Sequence, residues 1–487
     1  MQKNGESQKI SIHSQKTNSL RILLFLFFTF SFFSCEKKEY PNIILIMTDD
    51  QGWGQTGYYN HPVLKTPNLD AMAKNGIRFD RFYASAPVCS PTRSSVLTGR
   101  SNDRTGVFSH GFALRSQEKT LAQALKKIGY STGHFGKWHL NGLRGPGVPI
   151  LRDDKHSPGK FGFDYWFSTT NFFDIDPLMS RNGKFVDLKG SSSKVIFDEA
   201  IKFIKGNKIK ETPFFAVIWD GSPHDPWIAN NQDKGYFKNL DQKSQSHYGE
   251  LVAFDRNLGR FRKTLKEIGV SENTIVWFCS DNGGLKNIFP TTVGGLRGHK
   301  GTLWEGGLRV PAIIEWPSEI KHKISNFPVS TMDIFPTIAD IVGISSSDMI
   351  YPIDGISITN TFNSNIKTRK AHIPFRFKNG GALIENDFKL VATSIKDLQF
   401  ELYNLKIDPI ESDDIAMSNP ELFEELKTKF LKWNESVNLS VEGKDYSGGV
   451  LFEQPKSHFW MKDKRYEPYL EEFIKRPEYE KRIIKGK

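Results

Sequence analysis

Cys89-Ser90-Pro91-Thr92-Arg93 could carry chemistry. Proline two residues after a cysteine presets φ at a helix start, where its missing N–H costs nothing. Cys89 then stands at a helix mouth, where free N–H groups and the dipole favour negative charge. Arg93, one turn further in, can reach back to the same point. One segment thus offers a sulfur position, an anion nest and a fixed cation. A buried cysteine ahead of an ordinary helix fits the same five residues, so the rest of the chain has to decide.

The other reactive types sit where apolar runs stop. Apolar stretches at 41–48, 130–135, 213–219 and 274–278 end at Asp49-Asp50-Gln51-Gly52, Gly136-Lys137-Trp138-His139, Ser222-Pro223-His224-Asp225-Pro226 and Ser280-Asp281-Asn282-Gly283. Continuous apolar runs of this length suit strands of a parallel sheet buried on both faces. In such sheets ligands bind outside the carboxyl ends of the strands. If these four run parallel, one crevice collects Asp49, Asp50, Asp281, Asn282, Lys137, His139 and His224. The acid–amide set is all oxygen and suits a hard cation, calcium or magnesium, over zinc; Asp and Asn also serve as caps and turn residues. His224 lies between two prolines, in an extended segment unsuited to a core histidine. Lys300 lies between two glycines, where backbone can approach a ligand, though a solvated lysine fits the same pattern.

Several elements must position these groups. Helices are expected at 67–75, 120–128, 195–205 and 248–268, with Thr120 and Gln123 spaced as a capping box. Further strands are expected at 77–83 and 310–315. Residues 141–190, rich in Gly, Pro, Asp and Phe, read as long loops of the kind that bind substrate. Beyond about 366 the pattern turns to short antiparallel strands at 382–385, 389–393 and 400–403, then a helix whose apolar side is Leu422, Leu426, Phe430 and Trp433. The expected fold is α/β, a large sheet flanked by helices over 40–365, with a smaller α+β unit and charged tail over 366–487.

Composition bounds the rest. The chain has 487 residues, 38% hydrophobic and 25% charged, which suits a large globular protein. Its three cysteines cannot make a disulfide framework; Cys279 reads as a buried structural thiol. The net charge of +11 fits either solvated faces or attraction to an anionic polymer. No zinc-finger spacing, helix-turn-helix pattern or aromatic RNA-binding signature points to nucleic acid. A basic segment precedes an apolar run at 22–34, too short to span a membrane but right for a signal-peptide core. Ser34-Cys35 resembles a lipoprotein cleavage site, with Phe32 where an aliphatic residue is usual. Residues 1–35 are therefore expected to be an export signal. The outcome is either a lipid anchor at Cys35 on a periplasmic or outer-membrane lipoprotein, or plain secretion.

Taken together, the motifs resemble the formylglycine-dependent type I sulfatases of the alkaline phosphatase superfamily. The resemblance rests on Thr48–Gly54, Cys89–Arg93 with Leu97-Thr98-Gly99-Arg100, Gly136–His139, Pro223–Pro226, Ser280–Gly283 and Gly298–Gly301, in that order. It implies a mostly parallel mixed sheet. It also implies that Cys89 is oxidised to formylglycine by a separate maturation enzyme and that its hydrate is the nucleophile. Asp49, Asp50, Asp281 and Asn282, with residue 89, would hold one calcium ion. Arg93 would steady the modified residue, His139 would contact the second hydroxyl of the hydrate, and Lys137 would bridge to the sulfate. Lys300 and His224 would hold the sulfate and help protonate the leaving alcohol. One hydrate oxygen would attack sulfur, and the other would re-form the aldehyde and expel sulfate. The implied substrate is a sulfated polysaccharide or its oligosaccharides. Phosphodiester or phosphonate monoester hydrolysis at the same site, and non-catalytic binding of sulfated glycans, are the alternatives.

Overall fold

The structure, a computed structural model, describes residues 40–454 and 456–486. The expected export signal and Cys35 lie outside them. Residues Pro41–Lys487 form one compact unit.

Five parallel strands make the centre of a ten-stranded sheet, in the order Thr274–Ser280, Asn42–Thr48, Phe214–Trp219, Ser131–Lys137 and Tyr165–Thr169. The four apolar runs are therefore adjacent and parallel, and their carboxyl ends open on one edge. Asn42–Thr48 and Thr274–Ser280 run in register, Thr48 opposite Ser280, so Asp49 and Asp281 leave the sheet side by side. Every residue of Phe214–Trp219 and Thr274–Ser280 is buried. Helices Ser192–Ile209 and Gln242–Glu267 pack one face through Phe197, Phe254, Leu258 and Phe261. Gln242–Glu267 starts earlier than its apolar stripe suggests, because the Asp241 carboxylate caps Lys243 and Ser244 N–H. Thr120 and Gln123 form the expected capping box.

Three expectations change, one of them the 310–315 strand, which divides at Pro311 into Arg309–Val310 and Ala312–Glu315 in different sheets. Residues 141–190 are not all loop: Tyr165–Thr169, Leu178–Arg181 and Lys184–Asp187 extend the sheet at one edge, the last two antiparallel. These strands are too short to show periodicity, and the first is buried almost throughout. The 77–83 stretch divides at Asp80-Arg81 into Ile77–Phe79 in the large sheet and Phe82–Tyr83 in a separate three-stranded one.

The C-terminal strands Ile373–Phe377, Gly380–Glu385, Phe388–Ser394 and Gln399–Asn404 form an antiparallel sheet. Helix Pro420–Val441 covers it with Leu426, Phe430, Trp433 and Val437. The tail folds back: Trp460, Tyr466, Phe473 and Tyr479 pack with Leu143, Val148 and Leu178. Among the described residues no helix is long and apolar enough to cross a membrane.

Candidate active site

Helix Cys89–Thr98 is buried at all ten positions, so its sequence shows no division into a polar and an apolar face. Gly99 ends it at φ +70°. Cys89 is its first residue and lies over the edge where Asp49 and Asp281 emerge. The Cys89 Sγ is 3.4 Å from Asp49 Oδ1. Asp50, at φ +74°, turns its amide to donate to Asp281 Oδ1 at 3.1 Å. Asp49, Asp50, Asp281, Asn282, Cys89, Arg93 and Lys137 are fully buried. Ligand atoms of Asp49, Asp50, Cys89 and Asp281 all lie within 4.8 Å of one another.

The cations interleave with these acids. Arg93 donates to Asp281 Oδ2 at 2.6 Å and to the Lys137 carbonyl at 3.0 Å, and its guanidinium lies over the Trp219 ring. Lys137 Nζ is 2.5 Å from Asp49 Oδ2, and Lys300 Nζ is 2.6 Å from Asp50 Oδ1. Asn282 Nδ2 donates to Asp50 Oδ1 at 2.8 Å. His224 Nε2 is 3.9 Å from Asp50 Oδ2. His139, at φ +56°, is buried with its Nδ1 unpartnered. Its burial is reinforced electrostatically by Lys137 and Arg93, which hold it neutral. All ten residues singled out from the sequence thus converge on one edge.

The family model described as Sulfatase matches residues 41–344. The chain belongs to the sulfatase family. N-acetylgalactosamine-6-sulfatase of Rattus norvegicus is 34% identical over 361 residues, covering 66% of this chain. The chain spans 65% of that curated relative's length. An ulvan-active sulfatase of Formosa agariphila is 30% identical over 379 residues, covering 69% of this chain and 70% of its own. The solved structure of Ps i-CgsB in complex with k-i-k-neocarrahexaose superposes with a TM-score of 0.73 at 25% identity, covering 91% of this chain and 99% of that one. The mixed sheet and small C-terminal antiparallel sheet are those of the sulfatase, alkaline phosphatase-like fold.

In this sulfatase-family site, electrostatics sort the groups. Burial pushes the Cys89 thiol well up, and Asp49 adds to it, so a thiolate is disfavoured. Burial also acts against the Asp49 carboxylate, yet Lys137, His224 and Arg93 outweigh it and hold the group well below its usual range. Asp281 is pushed up to about 7 by burial and by Asp49. Crowded, desolvated carboxylates favour a cation among them. Asn282 Oδ1, buried without a hydrogen-bond partner, is a further oxygen donor beside them. The donor set therefore fits a hard divalent cation.

Two residues escaped the sequence reading. Phe172 stacks on His224 with ring centroids 4.7 Å apart and planes 10° from parallel. It lies in the stretch read as loop and carries no chemical signal. His110 comes close enough to Lys300, Lys137 and Asp50 to feel their charges, and burial with those lysines drives its pKa down to about 3. A histidine just before Gly111, downstream of the cysteine motif, was the available hint.

Proposed function

We propose that the chain is an exported sulfatase that hydrolyses sulfate monoesters on a sulfated polysaccharide or its oligosaccharides. It would use a formylglycine made from Cys89 by a maturation enzyme, together with one calcium ion. The observation that carries the reading is the fully buried oxygen cluster around residue 89, faced by Lys137, Lys300 and His224. The ulvan-active relative and the neocarrahexaose complex support a sulfated glycan as substrate. The basic run and apolar core ahead of Cys35 support export, with or without a lipid anchor.

Asp49, Asp50, Asp281 and Asn282 would hold the calcium, which when bound would neutralise charge where an anionic nucleophile meets an anionic ester. Formylglycine at position 89 would place a hydrated aldehyde where the reluctant thiol now stands. Arg93, fixed by Asp281, the Lys137 carbonyl and the Trp219 face, keeps a permanent positive charge beneath that residue. Lys137 and Lys300 supply ammonium groups for the sulfate oxygens, and His139 offers its unpartnered Nδ1 at the buried end.

His224 is oriented for proton transfer. Its Nδ1 is 2.6 Å from the Asp225 carbonyl, which can only accept, so Nδ1 carries the proton. That leaves Nε2 facing the site as the position that takes up a proton and gives it to the leaving alcohol. Such general-acid help is typically worth about 10²–10⁴ in rate.

The test is release of inorganic sulfate by protein co-expressed with a formylglycine-generating enzyme. It would be measured on an aryl sulfate and on defined sulfated oligosaccharides beside an aryl phosphodiester and an aryl phosphonate. Sulfate release with weak diester cleavage is expected. A clear preference for the diester or phosphonate would replace this reading, and glycan binding without any release would make the chain a lectin-like protein.

A further inference from the structure

The reacting site is closely balanced in charge: Asp49, Asp50 and Asp281 lie against Lys137, Lys300 and Arg93. The wall beside it is not. Gly111 donates its N–H to Ser90 Oγ at 2.8 Å, which ties the 110–111 turn to the residue next to Cys89. The His110 carbonyl accepts from Ser457 Oγ at 3.2 Å, while its ring has no hydrogen-bond partner among the described residues. Arg144 packs along the same turn: a Cβ on Gly111 would meet Arg144 Cγ at 2.6 Å.

The strand Leu143–Arg144 buries Leu143 and exposes Arg144. It pairs in parallel with His458–Phe459, and the Arg144 guanidinium lies 5.1 Å from the centre of the Phe459 ring. The tail thus supplies a platform that holds the arginine at the surface. The Arg144 side chain makes neither an ion pair nor a hydrogen bond among the described residues. Other arginines that follow the cysteine helix differ. Arg100 is paired with Asp445, Arg104 with Asp354, and Arg115 donates to the Ser440 and Val441 carbonyls. A guanidinium held on an aromatic face, beside an anion-handling site and with its donors free, is a ready fork for a planar or tetrahedral oxyanion.

We propose that Arg144, seated on Phe459 and flanked by His110, forms a second anion subsite that takes a sulfate or carboxylate on the sugar adjoining the one bearing the scissile sulfate. The subsite deepens the sulfatase reading and rests on it, because the reacting sulfate defines which sugar is the neighbour. It makes the substrate a chain charged on successive sugars. It also gives the tail a binding role: residues 457–459 build the wall that the neighbouring sugar meets.

The test is calorimetric binding to the Cys89→Ser chain, which cannot turn substrate over. One pair of probes is κ- and ι-neocarratetraose, which differ in sulfate on the adjoining sugar. The other is an ulvan tetrasaccharide before and after reduction of its uronate carboxylate. In at least one pair the added anion is expected to tighten binding about 5- to 20-fold, as for a partly exposed charge-assisted fork. The gain should vanish in Arg144→Ala and survive in Arg152→Ala, an exposed arginine whose stem packs against Gly183 instead of Gly111. The responding pair identifies sulfate or carboxylate as the group bound. No gain in either pair, or an equal gain without Arg144, overturns the subsite. Sulfate release by the matured parent chain is measured alongside. Release without an Arg144-dependent gain removes the subsite alone, whereas a gain without release leaves Arg144 an anion-binding residue and removes the enzymatic reading together with the placement of its sugar beside a scissile sulfate.

Discussion

Lys389 offers a sharp test of how the C-terminal sheet holds the Lys300 loop. Its ammonium is fully buried, 2.7 Å from Glu411 Oε1 and 3.1 Å from Glu305 Oε1, and both carboxylates are fully buried as well. Glu305 N–H donates to Glu411 Oε2 at 2.7 Å, and Tyr83 donates to Glu305 Oε2 at 3.1 Å. Arg297, three residues before Lys300, donates to the Glu411 carbonyl at 2.6 Å and lies 3.5 Å from the centre of the Trp304 ring. Lys389→Met keeps the volume and removes the charge, leaving two carboxylates face to face with Arg309, 3.7 Å from Glu305 Oε2, left to offset them. They cannot both stay ionised there, so one takes a proton. At pH 7 that costs about 3.7 kcal/mol for a group of ordinary pKa near 4.3. This agrees with the roughly 3–5 kcal/mol typical of breaking a buried pair. At pH 5 the same proton costs only about 1 kcal/mol. The sign follows from linkage: the folded variant binds a proton that the unfolded chain lacks, so its stability falls as pH rises. Burial already raises Glu411 in the parent, in the same direction. Urea unfolding of parent and variant at pH 7 and pH 5, followed by tryptophan fluorescence, should show a deficit of about 4 kcal/mol that shrinks to about 1–2. Lys389→Met combined with Glu411→Leu should recover most of it at pH 7. A deficit under about 1 kcal/mol at pH 7, or one indifferent to pH, would refute the argument.

Other perturbations bear on the site itself. Cys89→Ala should abolish sulfate release while keeping unfolding stability within about 1 kcal/mol of the parent, since only one buried sulfur is lost; turnover by this variant would end the formylglycine proposal. Calcium should raise the thermal midpoint of the parent but not of Asp281→Ala, and a chelator should suppress sulfate release by the parent; a midpoint indifferent to calcium in both would exclude the proposed metal site. Phe172→Ala removes a stacked ring worth about 0.5–1.5 kcal/mol, so kcat/KM should fall about 2- to 10-fold. A change confined to KM would show that Phe172 meets the sugar instead of aligning His224.

The sequence is most legible where physics repeats itself. Four apolar runs, each closed by a polar turn, were enough to place Asp49, Lys137, His224 and Asp281 on one edge, because buried parallel strands and their carboxyl-end loops leave that pattern. The helix Cys89–Thr98 was readable only through Pro91 and the motif, since burial on every side erases amphipathic spacing. Tyr165–Thr169 was lost in the opposite way: its flanks look like loop and its five residues are too few for a period. The partners of the site depend on long-range contacts with no local trace. His110 meets Ser457 across 347 positions of sequence, and Arg100 meets Asp445 across 345. The aromatic residues of the tail, scattered among charges, gain meaning only when Leu143 and Leu178 are seen to receive them.

Those distances in sequence are also distances in time. The helix that begins with Cys89 emerges early in synthesis, but the turn after it is clamped by Asp354, Asp445 and the 440–441 carbonyls, and the Lys300 loop by Lys389 and Glu411. None of these partners exists until most of the chain has been made. During that interval Cys89 would stand on an unfinished surface, within reach of the proposed maturation enzyme; in the folded chain it has no exposed area at all. On the proposed formylglycine reading, late closure would set a deadline for maturation. A chain that folded before its cysteine was converted would be sealed in the inactive form, and the rate of folding, as much as the supply of the proposed maturation enzyme, would fix what fraction of molecules becomes active.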